Sequence, residues 1–509
     1  MVPDAFVLVM IRSPCVDVMR RGRCLAEDVR VGPAITNKRG ALGAGMIVVA
    51  SAMLMTRSHA QLPDGEASAP PVDVRLGWET AQGREQPDRR IALPELERRK
   101  FKSFGWLEAG LGANAWGTPF NGPVTFADRS WQGQMNQCYI VTERTLDTDG
   151  DAWDWGGRVD LLLGTDSIFT TARGLDAWPL QTHGIENAAS WAFTKDYGLA
   201  MPQLYVDVAR GDLSLRLGHF YGILGYEQVP AVGNFFYTHC FSMQYSPFTF
   251  TGLLGTWRPM DGVTIYSGLH SGWNNFCDPM PLSGPWAIVN RGTPGAGSTA
   301  GYVGAVVLES DDRRQSIAIA TTTGNEVSLL GPNPADGSLA GNRSLITTVY
   351  TNRLSERMTY VFENDNAWQF NSGMSPGNAG QPAGLAQWYS FNQYVLWRFN
   401  DRWLGGVRLE YFRDNNGYAV VAPLRNYSQA GNPGYYAGGF AGNFWEVTIG
   451  LNHRPNRNWL FRPEVRYDWF TPNAGVTALP YGAGLGQGIG AAGSKYGQFY
   501  VGCDAIYQF

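Results

Sequence analysis

From Trp106 to the terminal Phe509 the chain alternates between apolar and polar positions. In FRPEVRYDWF, Phe461–Phe470, one parity carries Pro463, Val465, Tyr467 and Trp469, and the other carries Arg462, Glu464, Arg466 and Asp468. Consecutive side chains of a strand point to opposite faces. Such a segment therefore wants an apolar medium on one side and a polar one on the other. The same pattern recurs near 106–116, 135–146, 153–164, 202–210, 213–223, 241–257, 263–272, 300–308, 315–324, 344–351, 358–368, 386–398, 403–413, 443–452, 459–470 and 496–509.

These segments come in pairs. Within a pair the connection is short, as in ARGD at 209–212, RPMDG at 258–262 and FNDRW at 399–403. Between pairs it is long and rich in Gly, Pro, Asn and Ser, as at 165–201, 273–299, 414–442 and 471–494. Sorting short turns to one end and long loops to the other predicts a closed antiparallel transmembrane β-barrel. The expected strand number is about sixteen, within 14–18, with short periplasmic turns and long outer loops.

Spacing along single strands agrees. Trp459 and Trp469 share a face ten residues apart, which is about 33 Å of strand. A tilt near 40° projects this to roughly 25 Å, the height of a lipid-facing band between aromatic girdles. Phe499 and Phe509 repeat the spacing, with Val501, Cys503, Ala505 and Tyr507 between them on one face. Pro463 removes a ladder donor, so a bulge is expected there.

The other parity supplies candidate pore-lining residues. Asp154, Arg158 and Asp160 point inward in WDWGGRVDLLLG, Arg216 in LSLRLG, Arg408 and Glu410 in GGVRLEYF, and Glu446 in FWEVTIGL. Arg462, Glu464, Arg466 and Asp468 join them. Dry burial of such charges costs several kcal/mol each unless they are paired. A water-filled interior removes most of that cost, so an aqueous pore is the expectation.

Composition narrows the class. Charged residues are 17% and aromatics 13% of 509 residues, fewer charges than the quarter usual in soluble domains. The net charge of −4 gives no case for nucleic-acid binding. The long apolar run ALGAGMIVVASAMLM at 41–55 follows Lys38-Arg39 and precedes SHA at 58–60. This is the layout of a secretory signal peptide, expected to occupy residues 1–60 with cleavage after Ala60, from a start codon placed upstream of the true one. Residues 61–104 are Pro-rich and charged and read as a flexible periplasmic segment, with a short helix in LPELERRKFK at 93–102. The barrel is expected to fill 105–509.

The segment 196–254 contains GHFY, GYE, NFFYTH, MQY and PFTFTG in that order. These words resemble the OmpL-like beta-barrel porins of the bacterial outer membrane, and the resemblance extends over roughly 105–509. The family pattern after MQY carries Glu and His where this chain has Ser246 and Phe250. The resemblance implies a porin without a cofactor. A complete amphipathic last strand ending in Phe509 resembles the recognition signal of the outer-membrane barrel assembly machinery. In sixteen-stranded porins generally the third loop folds inward and copies assemble as homotrimers. By that analogy Glu227, Asn234 and His239 are constriction candidates; the alternative is that they hold the loop to the wall.

Other constellations carry less. Asp147, Asp149, Asp151 and Asp154 are closely spaced, but the order of a calcium loop is not met, and a tight turn accounts for them. The six His are scattered, with no metal-ligand spacing, so no metal is expected. The Gly-rich run at 481–493 lacks the strand-to-helix setting of a dinucleotide site. No nucleophile elbow or phosphate-binding loop is present, so the chain is not expected to be an enzyme. Pairing about the turn at 258–262 sets position 240 near 280, so a Cys240–Cys277 disulfide across that hairpin is expected. The leading function is passive diffusion of small hydrophilic solutes or ions through an outer-membrane channel. The rival is a non-conducting structural or adhesive barrel whose loops plug it.

Overall fold

The computed structural model describes residues 91, 93–147, 151–172, 175–176, 191, 196–276, 300–327, 340–370, 384–420, 440–482 and 493–509. Its strands are β1 Lys102–Asn114, β2 Gln134–Arg144, β3 Asp154–Gly164, β4 Gly198–Arg210, β5 Leu213–Tyr221, β6 Thr249–Met260, β7 Val263–His270 and β8 Gly301–Glu309. They continue as β9 Gln315–Val327, β10 Ala340–Ser355, β11 Met358–Phe370, β12 Leu385–Arg398, β13 Trp403–Asp414, β14 Gly442–His453, β15 Trp459–Pro472 and β16 Gly497–Gln508. Each strand pairs with its sequence neighbours, and β1 pairs antiparallel with β16, so the sheet closes into a sixteen-stranded barrel. Closure leaves no unpaired edge, as a β structure spanning hydrocarbon requires. The expected fold class and strand number hold.

Three short α-helices stand among the described elements: α1 Pro94–Glu97, α2 Ser167–Thr170 and α3 Phe241–Gln244. Among the described residues no helix is long and apolar enough to cross a membrane. The expected helix at 93–102 is the single turn α1. The expected signal segment 1–60 lies outside the described residues.

Short connections gather at one end of the barrel. Gly211 and Gly262, in the tight turns after β4 and β6, hold φ at +52° and +73°. That region is open to Gly at little cost and closed to most other residues. The girdles are visible on the outer wall. At one end of β15 Trp459 packs against Tyr507, ring centroids 5.0 Å apart. At the other end Trp469 stacks on Trp445 at 5.7 Å.

Two local expectations are corrected. Residues 241–248 do not begin β6. The backbone N–H groups of Phe241 and Ser242 are bonded to the Glu410 carboxylate of β13 at 2.6 and 2.8 Å. A tertiary contact captures donors that a strand would have used. No bulge forms at Pro463: the β14–β15 register is the same on either side of it, Gly450 facing Glu464 and His453 facing Phe461. The ladder skips the proline without inserting a residue.

Candidate functional site

The segment 222–248, between β5 and β6, is the third outer loop. It turns into the barrel instead of standing above it. Inside lie a 3-10 turn at Ala231–Gly233 and helix α3. The loop carries Phe236, Tyr237, Cys240 and Phe241 almost fully buried.

Three arginines of the wall hold its carbonyls. Arg462 donates to the carbonyl oxygens of Ala231, Asn234 and Phe236 at 2.9, 3.1 and 3.0 Å. Arg408 donates to Thr238 O at 2.7 Å, and Arg466 to His239 O at 2.6 Å. Carboxylates of the wall hold its N–H groups. Glu464 accepts from Tyr237 N and Thr238 N at 2.9 and 3.1 Å. Glu410 accepts the pair named above, and Glu363 of β11 accepts from Tyr226 N at 3.0 Å. A loop placed inside a barrel would otherwise bury unpaired backbone groups. The alternating charges of β13 and β15 supply the missing partners.

The same charges are neutralised among themselves. Arg462 bridges Glu108 and Asp504 at 2.9 and 2.6 Å. Arg466 pairs with Asp468 at 2.8 Å, and Arg408 with Glu446 at 2.9 Å and Glu227 at 2.7 Å. Arg158 pairs with Asp160 at 2.6 Å and Glu143 at 3.2 Å. This corrects the expectation that water meets the cost of these charges. Arg408 is 0% exposed and Arg462 2%, and fork-shaped pairing meets it instead.

The sequence-derived positions therefore separate into groups. Arg408, Glu410, Glu446, Arg462, Glu464, Arg466 and Asp468 come together as the seat of the loop. Arg158 and Asp160 sit on β3, where Arg158 lines a small cavity of about 40 Å³ together with Gln203, Tyr221, Glu227 and Phe248. Arg216 faces the lumen half-buried, paired with Asp207 at 2.9 Å and lying over the Tyr205 ring at 3.8 Å. Asp154 stands near the β2–β3 turn, paired with Arg144 at 2.7 Å.

The three constriction candidates behave differently from one another. Glu227 bonds Arg408, His239 Nδ1 at 3.0 Å, Cys240 N at 3.0 Å and Tyr394 OH at 3.1 Å. Burial pushes its carboxyl up, but the Arg408 guanidinium and the His239 ring outweigh this and hold it below the usual carboxylate range. Asn234 ties the loop to itself, its Oδ1 accepting from Gln228 N at 3.0 Å and its Nδ2 donating to Gln228 O at 2.5 Å. His239 packs edge-on to Phe126 at 4.5 Å. All three hold the loop in place, and Glu227 also lines the cavity.

Close approach is as important as charge. Gly406 and Gly450 face each other across β13 and β14. A Cβ on Gly406 would lie 2.4 Å from the Phe235 ring, and one on Gly450 3.0 Å from Phe236. The two glycines are a flat place on the wall where the loop aromatics rest.

Several partners escaped sequence reading: Glu108, Asp504, Glu143, Glu363 and Gln137. Gln137 Nε2 donates to Val229 O at 2.8 Å and its Oε1 accepts from Ala231 N at 3.1 Å. The signal was present in the alternation, since Glu108 lies between Leu107 and Ala109 and Asp504 between Cys503 and Ala505. Which wall residue meets which loop atom was not.

The Cys240–Cys277 bridge is also corrected. Cys240 is a free cysteine, packed in the interior with Sγ 3.1 Å from Ser242 Oγ. The β6–β7 ladder reaches only Gly252 opposite His270, so the hairpin register does not extend to position 240. Cys277 lies outside the described residues.

Among solved structures, the outer membrane channel DcaP of Acinetobacter baumannii is similar at 9% identity and a TM-score of 0.48, covering 80% of this chain and 97% of that one. An anion-selective porin from Comamonas acidovorans gives 9% and 0.48 over 80% and 99%. Pseudomonas putida OprB gives 9% and 0.46 over 82% and 96%. No curated protein matches the chain. The family described as "Putative beta-barrel porin-2, OmpL-like" matches residues 100–509, and the chain belongs to that family of β-barrel porins.

Proposed function

We propose that this chain is an outer-membrane porin: a water-filled channel for passive diffusion of small hydrophilic solutes or ions, narrowed by its own third loop. The observation that carries this reading is the loop 222–248 drawn into a closed barrel and fastened to paired charges of the wall. No covalent step is needed, so the chain is read as a channel and not an enzyme. Selectivity then comes from pore size and from the charges beside the loop. Residues 1–60 are read as an export signal, 61–104 as a periplasmic segment and the strand ending in Phe509 as the contact for barrel assembly. Assembly as a homotrimer belongs to the same reading.

One observation favours the rival: most residues of the loop are buried inside the barrel, Phe236, Tyr237, Cys240 and Phe241 among them. The two readings separate in a planar lipid bilayer. Folded protein that gives reproducible ohmic steps of small conductance, with a salt-gradient reversal potential, supports the channel. Folded protein that leaves the bilayer sealed supports the plugged barrel.

A further inference from the structure

Two carboxylates on the inner face of β11 meet no cationic side chain. Asp365 and Glu363 stand two positions apart on that strand, so both point into the barrel. Asp365 is 3% exposed and Glu363 1%. Asp160, Asp468 and Asp504, also on the inner wall, each bond an arginine: Arg158, Arg466 and Arg462 in turn. Among the described residues neither Asp365 nor Glu363 pairs with an Arg, Lys or His. Glu363 is held by neutral donors, Tyr226 N at 3.0 Å and Asn392 Nδ2 at 3.2 Å.

The strand register surrounds these carboxylates with oxygen. Thr347 of β10 lies opposite Asp365 on one side and Ser390 of β12 on the other, and Asn392 lies opposite Glu363. Directly opposed side chains stand about 5 Å apart at Cβ, so the groups share one patch of wall. Thr347, Ser390 and Asn392 are each 1% exposed or less. Asp365 Oδ1, Thr347 Oγ1, Ser390 Oγ and Asn392 Oδ1 have no hydrogen-bond partner among the described residues. Asn392 commits its Nδ2 to Glu363 and to Ser242 Oγ of α3, which leaves its oxygen as the unused atom. The guanidinium of the same wall belongs to Arg343, four positions along β10 from Thr347, about 13 Å of strand. There it donates to Gln369 Oε1 and Tyr418 OH.

Buried oxygens without partners are uncommon, and two buried carboxylates without a counter-charge are costlier still. A water bonds the hydroxyls but leaves both charges in place. A proton removes one charge but leaves the other oxygens. A hard cation answers both needs. The donor set is oxygen alone, with no imidazole or thiolate, and such sets select hard cations over softer metals. Calcium takes about six to eight oxygens in a flexible geometry, water among them, and two carboxylates balance its charge. Histidine spacing gave no sign of such a site because it uses no histidine, and its ligands come from three strands.

We propose that Asp365, Glu363, Thr347, Ser390 and Asn392 form a calcium site on the inner wall at β10–β12. Glu363 also accepts from Tyr226 N and Asn392 also donates to Ser242, so the ion ties the third loop to this wall. The site belongs to the folded barrel and does not depend on whether the barrel conducts. The test is a calcium titration of the folded, EDTA-treated barrel in a detergent without phosphate groups, read by calorimetry and by the urea midpoint. The parent is expected to bind one Ca²⁺ per chain and to unfold at higher urea when it is bound. Tb³⁺ in its place should luminesce through Trp388, two positions from Ser390 on the same face. Asp365→Asn should weaken calcium binding about tenfold or more, and should raise the midpoint in EDTA because it removes an unneutralised charge. Ser390→Ala should weaken binding by a smaller factor. Asp151→Asn, in the acidic β2–β3 turn, should change neither reading, which separates this site from calcium held by exposed turns. Heat-modifiable gel mobility checks that each variant is folded. No calcium-dependent shift in the parent, equal affinity in the parent and Asp365→Asn, or a loss at Asp151→Asn instead, each overturns the proposal.

Discussion

The wall β13–β16 and the wall β9–β12 solve opposite problems with the same alternation. On β15 the charges face in, where a loop meets them, and Phe461, Val465, Tyr467 and Trp469 face out. On β10 and β11 the interior face mixes Arg343, Glu363 and Asp365 with Leu345, Val349 and Val361, and Thr348, Asn364 and Asn366 stand among the apolar residues that face out. Period-two alternation states that two faces differ; it does not state which medium each one meets. That is decided by what packs against the wall, as the third loop does inside β13–β16.

The strongest way to break the comparison is at Arg462. Arg462→Met leaves Glu108 and Asp504 buried together and releases three loop carbonyls. The expected loss is about 3–5 kcal/mol, the usual cost of removing one partner from a buried ionic group. The midpoint of urea unfolding of lipid-folded barrel, followed by Trp fluorescence, measures it. Arg462→Lys restores charge without the fork and should recover only part. A neutral effect of Arg462→Met would show that the loop does not depend on this wall.

The lipid-facing side is tested next. Val206→Arg places a charge near mid-membrane on the apolar wall and should cost about 2–4 kcal/mol. Asn366→Leu, at an exposed polar position of β11, should cost nothing or stabilise slightly in the same assay. If both substitutions destabilise alike, the two outer walls do not differ in what they face.

The third test concerns fit. Gly406→Val forces a side chain into the place of the Phe235 ring, and overpacking of this kind costs about 1–3 kcal/mol. The barrel is expected to remain folded while the loop is displaced. Single-channel conductance of the variant should therefore differ from that of the parent. Unchanged conductance would mean that the ring moves aside and the loop keeps its place.

How much of this was legible in sequence follows from the same physics. The barrel, its strand number and the sorting of turns and loops came from local signals: alternation, Gly-Asp turns and aromatics at membrane spacing. The parity of Arg462, Glu464, Arg466 and Asp468 was legible too. Their office was not, because Arg462 meets Ala231 and Glu464 meets Tyr237 from more than two hundred residues away. Solvated lining and dry anchoring leave the same pattern on a strand. The start of β6 was missed for the same reason, since Glu410 on a distant strand decides it. The outward Thr348, Asn364 and Asn366 were overlooked because such residues weaken alternation instead of inverting it with charge.

The smallest expected effect is one of pH, at Glu227, the one loop carboxylate that bonds both Arg408 and His239. Its folded-state pKa is depressed, so its contribution to stability is fully present above the unfolded carboxyl value of about 4.3 and is lost as pH falls through the folded value. The gap in urea midpoint between the parent and Glu227→Gln should therefore stay constant from about pH 8 to about pH 5 and narrow only in stronger acid. A gap that already closes well above pH ~5 would show that the Arg408 guanidinium does not hold the Glu227 carboxylate ionised.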